Sequence, residues 1–135
     1  MQRPILLLTL TICTISISSF GQKQKPDLKA SIDRGKEIYI AQCMSCHMDQ
    51  GQGIEEVYPP LAKSDYLMAD TQRAIRTVVQ GLAGEILVNK KTYNLDMVGF
   101  PHLSDQEVSD VLNYIRNSWG NKGKAITPDE VSGAR

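Results

Sequence analysis

The chain has 135 residues, of which 41% are hydrophobic, and its 15 Lys and Arg balance 15 Asp and Glu, so the formal net charge is zero. This length allows at most one ordinary domain. The balanced charge argues against a nucleic-acid-binding protein, which would normally carry a basic excess, and it gives no sign of a strongly charged docking face.

The first 21 residues have the pattern of a secretory signal peptide. Arg3 precedes an apolar run at residues 4–17, and Ser19 and Gly21 place small side chains before a predicted cleavage at Gln22. The apolar run is short for a membrane span and is diluted by Thr and Ser, so we predict a removed signal rather than an uncleaved anchor. Cleavage would leave 135 − 21 = 114 residues.

Cys13 within this segment suggests two alternatives to a simple signal peptide. A lipoprotein keeps a cysteine at the end of its apolar run, after small residues, but the residue before Cys13 is the bulky Ile12. We therefore expect Cys13 to be discarded with the signal. A lipidated chain or an uncleaved anchor would hold the protein at a membrane, whereas the predicted mature chain has no stable membrane insertion.

The polar residues 22–30 predict a flexible N-terminal arm, followed by one domain at residues 31–135. The first helix is predicted over residues 31–45, with Ser31 as its N-cap. Gly35 lies inside this helix, where glycine costs about 1 kcal/mol relative to alanine. Its presence indicates that another helix approaches closely at this point.

The strongest motif of the chain is Cys-Met-Ser-Cys-His at residues 43–47. Cys43 and Cys46 have the spacing at which two thiols attach a c-type haem through thioethers, and the adjacent His47 is then placed to bind the iron. A zinc half-site would use the same three residues but needs further ligands, and the remaining Cys and His of the chain are Cys13 and His102. A redox-active dithiol would require a βαβ context, which the sequence does not show.

After the motif, the glycines in residues 48–53 predict a loop, and the two prolines in residues 58–61 predict a stiff, extended segment. A backbone carbonyl in that segment could accept a hydrogen bond from Nδ1 of His47. Such a bond would orient the imidazole ring and make it a stronger iron ligand.

The middle of the chain predicts one helix and little sheet. Apolar residues at helical spacing indicate a helix over residues 71–80, which Gly81 ends. Residues 84–93 have the pattern of a short strand and turn.

The last long helix has the clearest start signal. Ser104 and Glu107 form a capping-box pattern, and we predict that the helix ends at Gly120 or Asn121. A second cap at Thr127 predicts a short terminal helix. The apolar positions at helical period are Val108, Val111, Leu112, Ile115 and Trp119.

The second axial ligand of the iron has five candidates: Met44, Met48, Met68, Met97 and His102. Met44 and Met48 are tied to the side of the proximal histidine, and Met68 follows it closely with a helix still to cross. Met97 lies in a predicted loop before the capped helix, where the chain has length enough to reach the opposite face. We therefore favour Met97, with His102 as the main alternative and core packing as the ordinary role of a methionine.

Together these residues resemble the class I cytochromes c, in particular the small bacterial periplasmic type that also occurs fused to copper nitrite reductases and in dehydrogenase cytochrome subunits. Gly35 and Tyr39 stand where the family has an interface glycine and aromatic residue. Val111 and Tyr114 match the pair that crosses them on the last helix. The segment at residues 58–62 is similar to the family's proline loop.

The resemblance implies an all-α cytochrome c fold with about four short helices around one covalent haem c. It also implies that the Pro59 carbonyl accepts the bond from His47, and that His47 and Met97 are the axial ligands. One departure is that the family usually has proline after the distal methionine, whereas this chain has Val98.

The expected function is one-electron transfer in the periplasm, with the iron cycling between Fe(III) and Fe(II) and no enzymatic activity. Its partners would be an unidentified electron donor and acceptor, with no nucleic acid. The alternatives are a haem subunit or module of a larger redox complex, and a ligand-binding haem sensor or peroxidase.

Overall fold

The structure, a computed structural model, describes residues 27–135. The predicted signal peptide at residues 1–21, the cleavage before Gln22 and Cys13 all lie outside the described residues. Within residues 27–135, no helix is long and apolar enough to cross a membrane.

Six helices and two small antiparallel sheets make up the described part of the chain. The expectation of an all-α fold with about four helices is therefore corrected. Strand β1 pairs with β4, and β2 pairs with β3 in a hairpin. In chain order the elements are α1 (Leu28–Gln42), α2 (Met44–His47), α3 (Asp65–Ala69), α4 (Thr71–Gln80), β1 (Gly81–Leu82), β2 (Ile86–Val88), β3 (Lys91–Tyr93), β4 (Met97–Val98), α5 (Asp105–Ile115) and α6 (Pro128–Ser132).

Helix α1 begins three residues before the predicted start. The carboxylate of Asp27 accepts a hydrogen bond from the Ala30 amide at 3.2 Å, and this side chain caps the helix in place of Ser31. The first three helical residues therefore do not belong to a flexible arm. Ser31 is buried, and its hydroxyl donates to Asp110 Oδ1 at 2.5 Å. The predicted helix over residues 31–45 is also interrupted at Cys43, which separates α1 from α2.

Helices α1 and α5 cross at Gly35, as its position in the sequence predicts. A Cβ atom at Gly35 would lie 1.9 Å from the Asp110 carbonyl oxygen, so only glycine allows this distance between the two backbones. Next to the crossing, the Tyr39 ring packs against Tyr114 and Trp119, with centroid distances of 5.4 Å and 5.0 Å. The close approach that Gly35 indicated is confirmed.

Replacing Gly35 by alanine is expected to lower the free energy of unfolding. Overpacking of a well-filled contact costs about 1–3 kcal/mol, and here the added methyl group meets backbone, which cannot rotate away. The better helix propensity of alanine offsets up to about 1 kcal/mol of this. Denaturant unfolding of the haem-loaded protein measures the change. Gly133→Ala is the matched control, because its Cβ would stand 3.5 Å from the nearest atom, an ordinary contact; equal stability of both variants would contradict this account of the crossing.

A buried carboxylate joins the same two helices. The side chain of Asp110 is almost fully buried and accepts hydrogen bonds from Ser31, from Arg34 Nε at 2.7 Å and Nη2 at 2.8 Å, and from Gln106 Nε2 at 2.9 Å. Four donor atoms, two of them in the Arg34 guanidinium, satisfy a carboxylate charge that would otherwise be costly to bury. The network therefore fixes the register of α1 on α5.

The starts of the later helices agree with the sequence, while one end does not. Helix α4 has the predicted bounds, and the capping boxes at Ser104 and Thr127 are both formed. Helix α5, however, ends at Ile115, before the predicted Gly120 or Asn121. The reason is tertiary: the side-chain amide of Asn121 donates to the carbonyl oxygens of Ile115 and Leu61, both at 2.9 Å, and so satisfies the helix end from outside.

Candidate haem-binding site

The helices and loops enclose a cavity of about 550 Å³. This volume lies within the range of roughly 300–1,000 Å³ that is typical of cofactor and ligand pockets. One part of its wall is formed by α2 and the proline segment, and other parts by α4, the β2–β3 hairpin, β4 and α5. The apolar side chains that line it include Leu61, Leu67, Val78, Ile86, Val88, Phe100, Val111, Leu112 and Ile115.

Cys43, Cys46 and His47 line this cavity together. The short helix α2 brings them side by side, since the His47 amide donates to the Cys43 carbonyl oxygen at 3.0 Å. Both thiols are free and only partly buried, so they are not joined as a disulfide. Burial raises the pKa of the Cys43 thiol to about 11, so it is protonated at neutral pH. Two thiols at this spacing on a cavity wall are suited to two thioether bonds.

A hydrogen bond to the proline segment fixes the orientation of the His47 ring. Its ring is buried, and Nδ1 donates to the Pro59 carbonyl oxygen at 3.0 Å, the contact that the sequence predicts. Burial lowers the pKa of His47, although the bond to Pro59 opposes this, so the ring is neutral at pH 7. Because a carbonyl can only accept, the neutral ring carries its proton on Nδ1 and keeps the lone pair on Nε2. Within residues 27–135 the ring makes its hydrogen bond through Nδ1, which leaves Nε2 available to a metal ion.

Two glycines hold the proline segment against the histidine. Gly53 donates its amide to the His47 carbonyl oxygen, and a Cβ atom there would lie 2.2 Å from the Tyr58 carbonyl oxygen. Gly51 has a φ of +61° and would place a Cβ 2.4 Å from the Trp119 ring. Its carbonyl oxygen accepts from Leu61 at 2.7 Å. The sequence predicts these glycines only as loop formers, because their contacts across the chain have no local signal.

Among the five candidates for the second axial ligand, Met97 alone lines the cavity. Met68 packs against the hydrophobic core, and the His102 ring lies edge-on to Phe100 with a centroid distance of 6.0 Å. Met97 belongs to strand β4, paired opposite Leu82, and not to a loop as predicted. The cavity therefore brings together two thiols, one imidazole nitrogen and one thioether.

Arg73 is a functional candidate that the sequence did not single out. It lines the cavity, where its guanidinium lies 3.8 Å from the centroid of the Tyr66 ring and donates to the Tyr66 carbonyl oxygen at 2.5 Å. This places a positive charge at the wall of a largely apolar site, which suits an anionic carboxylate of a bound cofactor.

The donor set fits a covalent haem better than it fits zinc. Within residues 27–135, no group of three or more His, Cys, Asp or Glu side chains is arranged to hold a metal ion. A structural zinc site would need four such ligands. An apolar cavity with a thiol pair and an imidazole on one wall instead suits a flat, hydrophobic macrocycle with an iron at its centre.

The family model for cytochrome c matches residues 32–119. The chain belongs to the cytochrome c family. This confirms the class that the sequence motifs indicated. As a cytochrome c domain it binds covalent haem c with iron, and such domains transfer electrons. Cys43 and Cys46 lie in the spacing typical of the attachment motif.

The relatives of this cytochrome include small cytochromes and subunits of larger enzymes. It is 40% identical over 110 residues to cytochrome c-552 of Thermus thermophilus, covering 75% of this chain and 83% of that protein. It is also 40% identical over 90 residues to the cytochrome c subunit of alcohol dehydrogenase (quinone) from Gluconobacter oxydans (strain 621H), covering 64% of this chain and 18% of the subunit. With the gluconate 2-dehydrogenase cytochrome c subunit of Pantoea cypripedii it shares 33% identity over 107 residues, covering 75% of this chain and 24% of that subunit.

Proposed function

We propose that this cytochrome is an exported one-electron carrier whose iron is held by His47 and Met97. When bound, the haem supplies the Fe(III)/Fe(II) couple. Cys43 and Cys46 hold it through thioethers, and the Pro59 carbonyl keeps the ring of His47 in place. The proposal rests on one observation: of the five candidates for the second axial ligand, Met97 is the one whose residue lines the cavity together with His47.

Ligation by imidazole and thioether explains why the protein would carry electrons and not catalyse. His47 and Met97 would together hold the iron, which would leave it no position for a substrate or gas. The soft sulfur of a methionine favours the ferrous state and raises the reduction potential. The buried, apolar surroundings act in the same direction by disfavouring the more highly charged oxidised form.

Two relatives support different settings for this electron transfer. The extensive match to cytochrome c-552 supports a separate carrier in the periplasm, which receives an electron from one protein and passes it to another. The match to a part of an alcohol dehydrogenase subunit supports the alternative of a module within a larger redox complex. The N-terminal sequence of the exported protein and its sedimentation separate these settings. We expect a start near Gln22 and a small particle, whereas an acylated Cys13 or a retained Arg3 would show a membrane-held form.

The decisive experiment on the unmodified protein is absorption spectroscopy with and without dithionite and CO. We expect a six-coordinate, low-spin haem in both redox states, a one-electron redox titration and poor CO binding near pH 7. Rapid, saturating CO binding would contradict a closed distal side. Peroxidase turnover well above that of free haem would then favour a ligand-binding or catalytic haem protein.

A further inference from the structure

Strand β4, which carries Met97, packs against strand β1 and the C-terminal end of helix α4 through backbone atoms. In the β1–β4 pair, Gly81 stands opposite Val98 and Leu82 opposite Met97. A Cβ atom at Gly81 would lie 2.4 Å from the Met97 carbonyl oxygen and 2.8 Å from the Gly99 amide nitrogen. Gly81 also has a φ of +86°, which only glycine adopts readily. No side chain fits between these two strands at this residue.

Gly99 makes the reciprocal contact from the other strand. A Cβ atom there would lie 2.5 Å from the Gln80 carbonyl carbon and 2.6 Å from the Gly81 amide nitrogen. One residue later, the Phe100 amide donates to the Val78 carbonyl oxygen at 2.8 Å. The chain on the C-terminal side of Met97 is thus bound to the last turn of α4 over several consecutive residues.

Helix α4 is a rigid support for this contact. Asp70 caps its start by accepting from the Arg73 amide at 3.0 Å, and its apolar face is buried in the core. Val98, by contrast, is 74% exposed and lies at the cavity wall, so little of its side chain packs against the protein itself. The position of Met97 therefore depends on the backbone pairing and not on the residue that follows it.

We propose that Gly81 and Gly99 are positioning residues for the axial methionine: their lack of side chains lets β4 close onto β1 and the end of α4, which holds the Met97 thioether at the iron. This rests on the proposed ligation by Met97. The close pairing with β1 restrains β4 directly. It does so although this chain has Val98 at the position after the methionine, where the family usually has proline.

The test compares Gly81→Ala and Gly99→Ala with Gly120→Ala in the haem-loaded protein. Gly120 has a φ of +91° and does not line the cavity, and the atoms nearest its Cβ position belong to the flexible side chain of Lys63, at 3.1 Å or more, so alanine there imposes the backbone strain of Gly81 without a clash against backbone. The readouts are the weak red absorption band of a thioether-ligated ferric haem and the rate of CO binding to the reduced form. We expect the band to weaken and CO binding to accelerate about tenfold or more in the first two variants, because binding follows the fraction of open molecules. Gly120→Ala should match the unmodified protein.

If the glycine variants fail to fold or to take up haem, hydrogen exchange in Met97→Ala tests the same coupling from the side of the ligand. If ligation and strand pairing stabilise each other, Met97→Ala must loosen the pairing as well. We then expect hydrogen exchange at the Phe100 amide to be about tenfold faster in Met97→Ala, with exchange in α5 unchanged.

The outcomes separate this inference from the proposed function. Fast CO binding in Met97→Ala, together with unchanged binding in both folded glycine variants, would overturn the positioning role while ligation by Met97 stands. If Met97→Ala itself leaves the band and CO binding unchanged, ligation by Met97 is wrong and the positioning role is overturned with it. Unchanged exchange at Phe100, where the glycine variants cannot be obtained, would also overturn the positioning role.

Discussion

The double substitution Cys43→Ala and Cys46→Ala is expected to abolish nearly all recoverable holoprotein. In the unmodified protein, acidified organic solvent should leave the haem with the polypeptide, and the intact mass should exceed that of the apoprotein by one haem. Without either thiol, only axial ligation and apolar contacts would retain the haem. We expect a roughly tenfold or greater loss of haem-loaded protein, since a ligand that binds only the folded state stabilises it less as its affinity falls.

The expected loss also has a structural cause. The cavity of about 550 Å³ is lined by apolar side chains from helices α3, α4 and α5 and from strand β2, and without the haem these would face an empty or hydrated space. A chain of this size has little further apolar area with which to compensate. The apoprotein should therefore be loosely packed, with a far-UV circular dichroism spectrum of reduced helicity.

Single variants and a matched control make this test specific. Cys43→Ala should keep one thioether, through Cys46, and show a shifted absorption spectrum. Cys13→Ala removes the third cysteine of the chain, which lies outside the cavity-forming residues 27–135, and should leave the haem content unchanged. Haem in the solvent phase after extraction of the unmodified protein would refute covalent attachment.

Local chemistry explains which parts of this fold were predictable from the sequence. The capping boxes of α5 and α6 depend on residues three positions apart, so the sequence alone located both helix starts. The bounds of α4 were predictable from the helical spacing of its apolar residues and from Gly81, which ends it. The contact between His47 and the proline segment spans only twelve residues, and the stiffness of two consecutive prolines made it predictable.

The features that the sequence missed depend on residues far apart in the chain. Serine is common at helix N-caps, so the sequence predicts Ser31 as the cap, but its hydroxyl bonds to Asp110, which is 79 residues away. Trp119 continues the apolar period of α5, yet it has a φ of +52° and packs on Tyr39 outside the helix. Periodicity could not reveal that Asn121 ends the helix earlier by bonding to its last carbonyl.

The distal side of the site shows the same limit. Position along the chain was enough to favour Met97, because it alone combined a long reach with a following capped helix. That it lies on a strand could not be predicted, since the pairing joins residues 81–82 to residues 97–98 and leaves only two glycines as a local signal. Propensity favours a loop here, and the pairing with the end of α4 overrides it.

Met97→Ala is expected to open the distal side of the haem. The reduced protein should become five-coordinate and bind CO rapidly near pH 7, whereas the unmodified protein binds it poorly. Loss of the soft sulfur ligand should also lower the reduction potential, because the thioether favours the ferrous state. A tenfold fall in the ratio of ferrous to ferric protein at a fixed applied potential corresponds to about 59 mV for one electron, and we expect at least that shift.

Met68→Ala is the matched control for this prediction, since it removes the same side chain from a position that packs on the core but does not line the cavity. It should lower the free energy of unfolding, as loss of a partly buried methionine does, and leave the CO-binding rate and the potential unchanged. If Met97→Ala leaves the absorption spectrum as it was, Met97 is not the ligand. His102→Ala would then be the variant to change the spectrum, and a low initial potential would fit ligation by two histidines. Because the His102 ring packs on Phe100 and does not line the cavity, we expect His102→Ala to behave like the control.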